Sequence, residues 1–226
     1  MRGLRSPVLH GNAHQDVVRA RLCILHIHIE ITVVLEEAGI DQLVFASTNA
    51  ATLLLYAAFG GFGFLFSYFL QTVAHFSATA AGAAFLPVSA MLGIASGQVG
   101  TYSSRLGPRW FMGIGPLFCA AGMLTLLPLG SGTTYLTGVL PGILLFGIGL
   151  TLTVAPLTAT ALNSAPDEKS GIASAINNGL ASAGPLIAIA LLGLGGLERA
   201  YVLGVSICVG LAVLSGAVSL VFVRKS

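Results

Sequence analysis

Two adjacent asparagines, Asn177 and Asn178, stand inside Gly171–Gly193, a run of apolar and small residues without a single ionisable group. A side-chain amide donates and accepts hydrogen bonds, so the chemistry open to this pair is recognition or helix association. Read as a helix, the run places Ser174, Asn178 and Ser182 at i, i+4 and i+8, forming one polar stripe. Asn177, Ala181, Gly184 and Ala188 form a neighbouring stripe of mostly small side chains, followed through Gly184 by Pro185. Small side chains let a second backbone approach closely, whereas amides in lipid need a partner or water. Two readings stay open: a helix-packing face whose amides pair with neighbours, or the wall of a polar cavity. The polar stripe is expected to turn inward, and Leu at Ala181 or Ala188 to disturb packing.

The element that holds these residues must cross a bilayer, because about 20 apolar residues span its hydrocarbon core. Composition agrees: 55% of the 226 residues are hydrophobic and 8% charged, against about 25% charged in an ordinary soluble domain. A net charge of +2 without a basic patch argues against nucleic acid as a partner. Cys23, Cys119 and Cys208 lie far apart, without metal-ligand spacing, and no metal site or cofactor is expected.

Charge divides the chain. Residues 1–44 hold nine of the eighteen charged side chains and four of the five histidines. Within them Leu22–Leu35 alternates Ile27, Ile29, Ile31 and Val33 with His26, His28, Glu30 and Thr32, a strand-like period. Residues 1–44 therefore read as an atypical polar tail, disordered or a misassigned start, and two histidines alone make a poor metal site. Residues 45–226 read as one domain with six apolar segments: Asn49–Gln71, Ala80–Tyr102, Trp110–Leu129, Tyr135–Leu162, Gly171–Gly193 and Ala200–Val223. In lipid each must be helical to satisfy its own backbone. The fourth is long enough to tilt or kink, with Pro141 and Pro156 as the kink sites.

The connections carry an orientation. Arg105, Arg109, Lys169, Arg224 and Lys225 follow segments two, four and six, whereas Arg199 is the one basic residue after segments one, three and five. By the positive-inside rule both ends of the six-segment domain face the cytoplasm, in an inner or plasma membrane. Tyr102 and Trp110 flank the second connection at interface depth.

That connection, Gly100–Arg109 (GTYSSRLGPR), with Gly100, Arg105, Gly107 and Arg109, resembles the basic, glycine-containing cytoplasmic loop of the major facilitator superfamily. Phe45–Gln71, Ala80–Pro87 (AAGAAFLP), Pro141–Pro156 (PGILLFGIGLTLTVAP) and Gly171–Gly193 extend the likeness, which is greatest to the 14-helix drug:proton antiporter branch. The family loop usually has an acidic residue before its first arginine; here Ser104 stands there, without the carboxylate of a charge relay.

The resemblance implies an all-α integral membrane protein matching the last six helices of such a transporter, a half-bundle made of two oppositely oriented three-helix repeats. It implies as partners the lipid bilayer, a small lipophilic substrate, and a second bundle supplied by an N-terminal half or a homodimer. No span contains Asp, Glu, Lys, Arg or His, so the cavity wall this half can offer is neutral and polar. Candidates are Tyr56, Gln71, Thr151, Thr153, Asn177, Asn178 and Ser182, with Asn49 and Gln98 beside them. Asn49, Gln71 and Gln98 lie near span ends, where snorkelling to the interface also explains them. Gly93 and Gly97 stand at GxxxG spacing. The alternatives are a non-transporting membrane adaptor, or the inert remnant of a truncated gene. An intramembrane enzyme would need Ser with His, or paired Asp, at membrane depth, and His75 lies in a connection.

Overall fold

A computed structural model describes residues 42–165, 170–192 and 197–223. The strand-like stretch, His26, His28, Lys169, Arg224 and Lys225 lie outside the described residues, as does the side chain of Arg199. The chain forms α1 (Gln42–Thr72), α2 (Ala78–Ala83), α3 (Leu86–Leu106), α4 (Pro108–Thr125), a π-helical turn (Tyr135–Val139), α5 (Leu140–Asn163), α6 (Ser170–Leu192) and α7 (Leu197–Phe222). Among the described residues there is no strand, and the architecture is the all-α membrane half-bundle that the apolar segments imply.

Among the described residues five segments are long and apolar enough to cross a membrane: Leu43–Thr72, Ala78–Leu106, Tyr135–Asn163, Ser170–Ala190 and Tyr201–Phe222. The third expected span is a helix too, short and less apolar than the others because its first turn contains Pro108 and Arg109. The 18 residues of α4 rise about 27 Å, just under a hydrocarbon core of about 30 Å. Its end tightens into a last turn through Leu126 N–H to Met123 O and Leu127 N–H to Leu124 O.

Two other spans differ in detail from the segments expected. Ala80–Tyr102 is broken at Ala84–Phe85, where α2 ends and α3 begins with Pro87 in its first turn. A proline there has no N–H to give to the preceding turn, which favours a fresh helix start. Tyr135–Leu162 opens with the π turn, and Pro141 lies in the first turn of α5. Gly100–Arg109 is not a loop of ten residues: α3 runs to Leu106, α4 starts at Pro108, and Gly107 alone connects them. Its φ of +92° is left-handed, a conformation that side chains with a Cβ resist.

Packing places α5 against α3 and α4, α1 against α6 and α7, and α4 against α7. Glycines set the closest of these approaches. A Cβ on Gly122 of α4 would lie 2.6 Å from the Phe146 backbone nitrogen of α5, and one on Gly216 of α7 would lie 2.8 Å from the Gly113 carbonyl of α4. One end of the bundle is filled by rings. Phe62 is 5.1 Å from Phe146 between centroids, and Phe69 stacks on Tyr201 at 4.5 Å. The Tyr201 hydroxyl, otherwise an unmatched donor in the core, donates to the Leu126 carbonyl at 3.0 Å. At the other end Ala51, Leu55, Met112, Leu157 and Val223 make a smaller cluster.

Candidate functional site

Helix α6 crosses α1 through small residues. A Cβ on Gly184 would come within 2.9 Å of both the Leu53 carbonyl and the Ala57 nitrogen, and Gly60 of α1 lies against the Pro185 ring. This close approach turns Ala173, Asn177 and Ala188 into the bundle, all of them buried. Asn177 is thus a seam residue between helices.

The seam is polar at one level. Thr52 Oγ1 lies 2.8 Å from Asn177 Oδ1 and 2.9 Å from the Thr48 carbonyl. A hydroxyl has one proton to give. With that proton on the carbonyl, the amide turned end for end donates its NH2 to Thr52 Oγ1 and both contacts are satisfied. One turn away Asn49 Nδ2 donates to the Phe45 carbonyl at 2.9 Å, while Asn49 Oδ1 and Thr48 Oγ1 are buried without a partner. Asn49 does not snorkel: α1 begins at Gln42, so this residue lies inside the helix and is only 5% exposed. On the α7 side Ser215 Oγ donates to the Ala51 carbonyl at 2.8 Å, and Ser219 Oγ to Ser215 O at 3.0 Å.

The expected polar stripe does not turn into this bundle. Asn178 and Ser182 are exposed, with Asn178 Nδ2 donating to Ser174 Oγ at 3.2 Å. The reason is the crossing itself: the neighbouring Asn177–Gly184–Ala188 stripe is the one that lets α1 approach, and the polar stripe is carried round to the open side. Thr151 and Thr153 are buried in α5 and donate to the carbonyls of Gly147 and Gly149, so they line no cavity between the described helices. Tyr56 is half-buried against the Ala51–Leu55 cluster. Gln71 is exposed near the end of α1, with Nε2 donating to the Ser67 carbonyl at 3.1 Å. Arg105 is exposed and Arg109 half-buried on either side of Gly107.

A cavity of about 560 Å³ lies elsewhere, between α2, the start of α3 and Tyr135. Phe76, Ala80, Ala84, Leu86 and Pro87 make it almost wholly apolar, and none of the expected cavity residues lines it. The Tyr135 hydroxyl at its wall donates to the Ala84 carbonyl left over at the helix break, at 3.3 Å. Sequence reasoning passed over this cavity because its lining is alanine-rich and reads as packing surface. It also passed over Thr48, Thr52, Ser215 and Ser219, though Thr48/Thr52 and Ser215/Ser219 each stand at i, i+4 on one helix face.

Helices α3 and α6 are the least covered of the described spans. Of the most apolar stretch of Ala78–Leu106 only 17% is buried and of Ser170–Ala190 22%, against 50% for α1 and for α5. Helix α3 presents Gly93, Gly97, Gln98 and Thr101 outward, alongside Ile94. Helix α6 presents Gly171, Ala175, Asn178, Gly179 and Ser182. Nothing lies within 4 Å of a Cβ placed on Gly93, Gly97, Gly171 or Gly179. These faces offer hydrogen bonds and room, with no charge.

Comparison with known proteins names proteins with related sequences. A Multidrug resistance protein Stp of Mycobacterium tuberculosis (strain CDC 1551 / Oshkosh) is 32% identical over 149 residues, covering 66% of this chain and 27% of the relative. The Puromycin resistance protein pur8 of Streptomyces alboniger is 35% identical over 140 residues, 59% of this chain and 27% of that protein. The Tetracenomycin C resistance and export protein of Streptomyces glaucescens is 30% identical over 152 residues, 66% of this chain and again 27% of the relative. The chain therefore matches about a quarter of the length of each. The family model described as Major Facilitator Superfamily matches residues 27–189, beginning inside the stretch read as a tail and ending before α7. With that match spanning α1 to most of α6, this chain belongs to the Major Facilitator Superfamily.

Proposed function

We propose that this chain is the C-terminal six-helix half of a proton-coupled exporter of the 14-helix drug:proton antiporter branch, and that it transports only when a second bundle completes the site. The observation that carries this reading is the open face of α3 and α6. Glycines with nothing against them and a solvent-side Asn178–Ser174 pair suit a surface that another helical bundle covers, because small residues and interhelical hydrogen bonds are what associates helices in lipid. The short match to each relative supports the same reading. The second bundle is an N-terminal half or, failing that, another copy of this chain. Asn178 and Ser182 then line the shared cavity, and its substrate is a small lipophilic compound of the kind the relatives' names describe.

Coupling asks for more than a cavity. A proton must bind a group that titrates in the working range, and the segments crossing the membrane contain no Asp, Glu or His. A homodimer duplicates that lack, so the coupling group belongs to the N-terminal half. We place the assembly in the plasma membrane with the Arg105–Arg109 end and both termini cytoplasmic. A cysteine in the Gly130–Thr134 turn is expected to react with an impermeant reagent from outside; reaction only after permeabilisation overturns that orientation.

The test of function is reconstitution of the purified chain in liposomes under an imposed pH gradient with lipophilic cationic dyes. Leak or no transport is expected from the chain alone, and gradient-driven accumulation when a matching N-terminal half is co-reconstituted. Accumulation by the chain alone that collapses with the gradient overturns the reading. No transport even with the matching half favours the alternative, a non-transporting adaptor or remnant.

A further inference from the structure

We infer that the α3–α4 corner is a docking site for one anionic phospholipid of the surrounding bilayer. Its phosphate is held by Arg105 and Arg109, and part of an acyl chain lies in the notch below. The notch is an apolar hollow of about 150 Å³ lined by Trp110, Phe111 and Ile114 of α4 and Leu152 of α5, with no polar surface. It begins within one turn of the basic corner, since Trp110, which lines it, follows Arg109 in the first turn of α4.

Charge complementarity names the occupant. Between Asp41 and Asp167 the chain contains Arg105 and Arg109 and no other charged residue, and among the described residues neither arginine side chain makes a hydrogen bond or ion pair. Ser104 stands before Arg105 and bonds only the Thr101 carbonyl, so among the described residues no carboxylate competes for either guanidinium group. The first turn of α4 adds backbone N–H groups that no side chain caps, which favour an anion further. Two cations at headgroup depth beside an apolar hollow fit a molecule that has a phosphate and a hydrocarbon chain, and Trp110 and Tyr102, both more than half exposed, border the same corner as interface residues.

The site is tested on the purified full chain in nanodiscs of phosphatidylcholine mixed with phosphatidylglycerol, reading the lipid that stays bound after release by native mass spectrometry. The parent is expected to retain phosphatidylglycerol preferentially. Each arginine contributes roughly fivefold to that preference, so the double variant R105Q/R109Q retains the two lipids alike while R105K/R109K keeps the preference. Ile114→Trp fills the notch and is expected to lower phosphatidylglycerol retention with both arginines in place. Equal retention by the parent, an undiminished preference in R105Q/R109Q, or unchanged retention in Ile114→Trp overturns the site. Glycerol phosphate added free is expected not to displace the lipid; displacement at comparable concentration would mean a headgroup anion site only, and overturns lipid docking.

Discussion

The faces made by α4 and α7 and by α3 and α6 use glycine in opposite ways. On α4, Gly115 and Gly122 are filled by α5, and Gly113 meets Leu220 of α7; the exposed remainder of these helices is large and apolar, with Leu117, Phe118, Leu203, Ile207 and Leu214 outward. That surface suits contact with lipid tails. On the outward faces of α3 and α6, Gly93, Gly97, Gly171 and Gly179 have nothing within 4 Å of a Cβ, and polar side chains stand exposed beside them. The difference teaches that a glycine-rich membrane helix is not by itself a packed one: where a partner helix lies against it the notch is occupied, and where none of the described helices does, the notch stays open beside polar side chains.

The largest effect should come from the occupied notches. Gly122→Leu sets a side chain against the Phe146 backbone, 2.6 Å from a Cβ, and a rigid backbone neighbour cannot give way; loss of folded protein on size-exclusion chromatography in detergent is expected. Gly93→Leu tests the contrast, since the same change on the open face should leave the isolated chain folded while blocking co-purification with a second bundle. Equal damage by both variants would break the comparison.

Ala188→Leu comes next. Ala188 is 6% exposed at the α1–α6 crossing, and overpacking such a site costs about 1–3 kcal/mol. The half-buried Ala181 should tolerate Leu better, and thermal unfolding of the two variants side by side reads the difference. If both melt like the parent, α6 does not rest on α1 as described.

Thr52→Val removes the hydroxyl beside Asn177 and leaves the amide buried, at a cost of about 1 kcal/mol, typical of interhelical hydrogen bonds in membranes. The double variant T52V/N177L should recover part of the loss, because both polar groups then leave the seam together; no recovery argues that Asn177 has another partner. The smallest effect on stability is expected from Asn178→Leu. Its amide is exposed, so the melting of the isolated chain should hardly change, whereas under the proposed function transport by the chain with a matching N-terminal half should fall.

Much of this was legible because the bilayer leaves few choices. Length and apolarity locate helices wherever the chain must satisfy its own backbone, and the Gly100–Arg109 and Gly171–Gly193 stretches pointed to the family to which the chain belongs. What was not legible was rotation about each helix axis. The sequence shows two stripes on α6, one polar and one small, about 100° apart, and nothing local says which meets α1; that is decided by Gly60 and Gly184, 124 positions apart. The same holds for Thr52 and Asn177, whose pairing depends on that crossing. Hydropathy reads Ala80–Tyr102 as unbroken since Ala84 and Phe85 are as apolar as their neighbours, though Pro87 was a visible reason for a new helix to start.

Trp110 has an optical consequence. It is the one tryptophan in the chain and is 53% exposed at the start of α4, so every ultraviolet-excited indole photon leaves the molecule from a single address. Its emission wavelength measures how deep that address lies, and brominated or spin-labelled acyl chains placed at known depths quench it in proportion to proximity. The molecule thus has its own ruler for the plane in which it rests, with no label to attach.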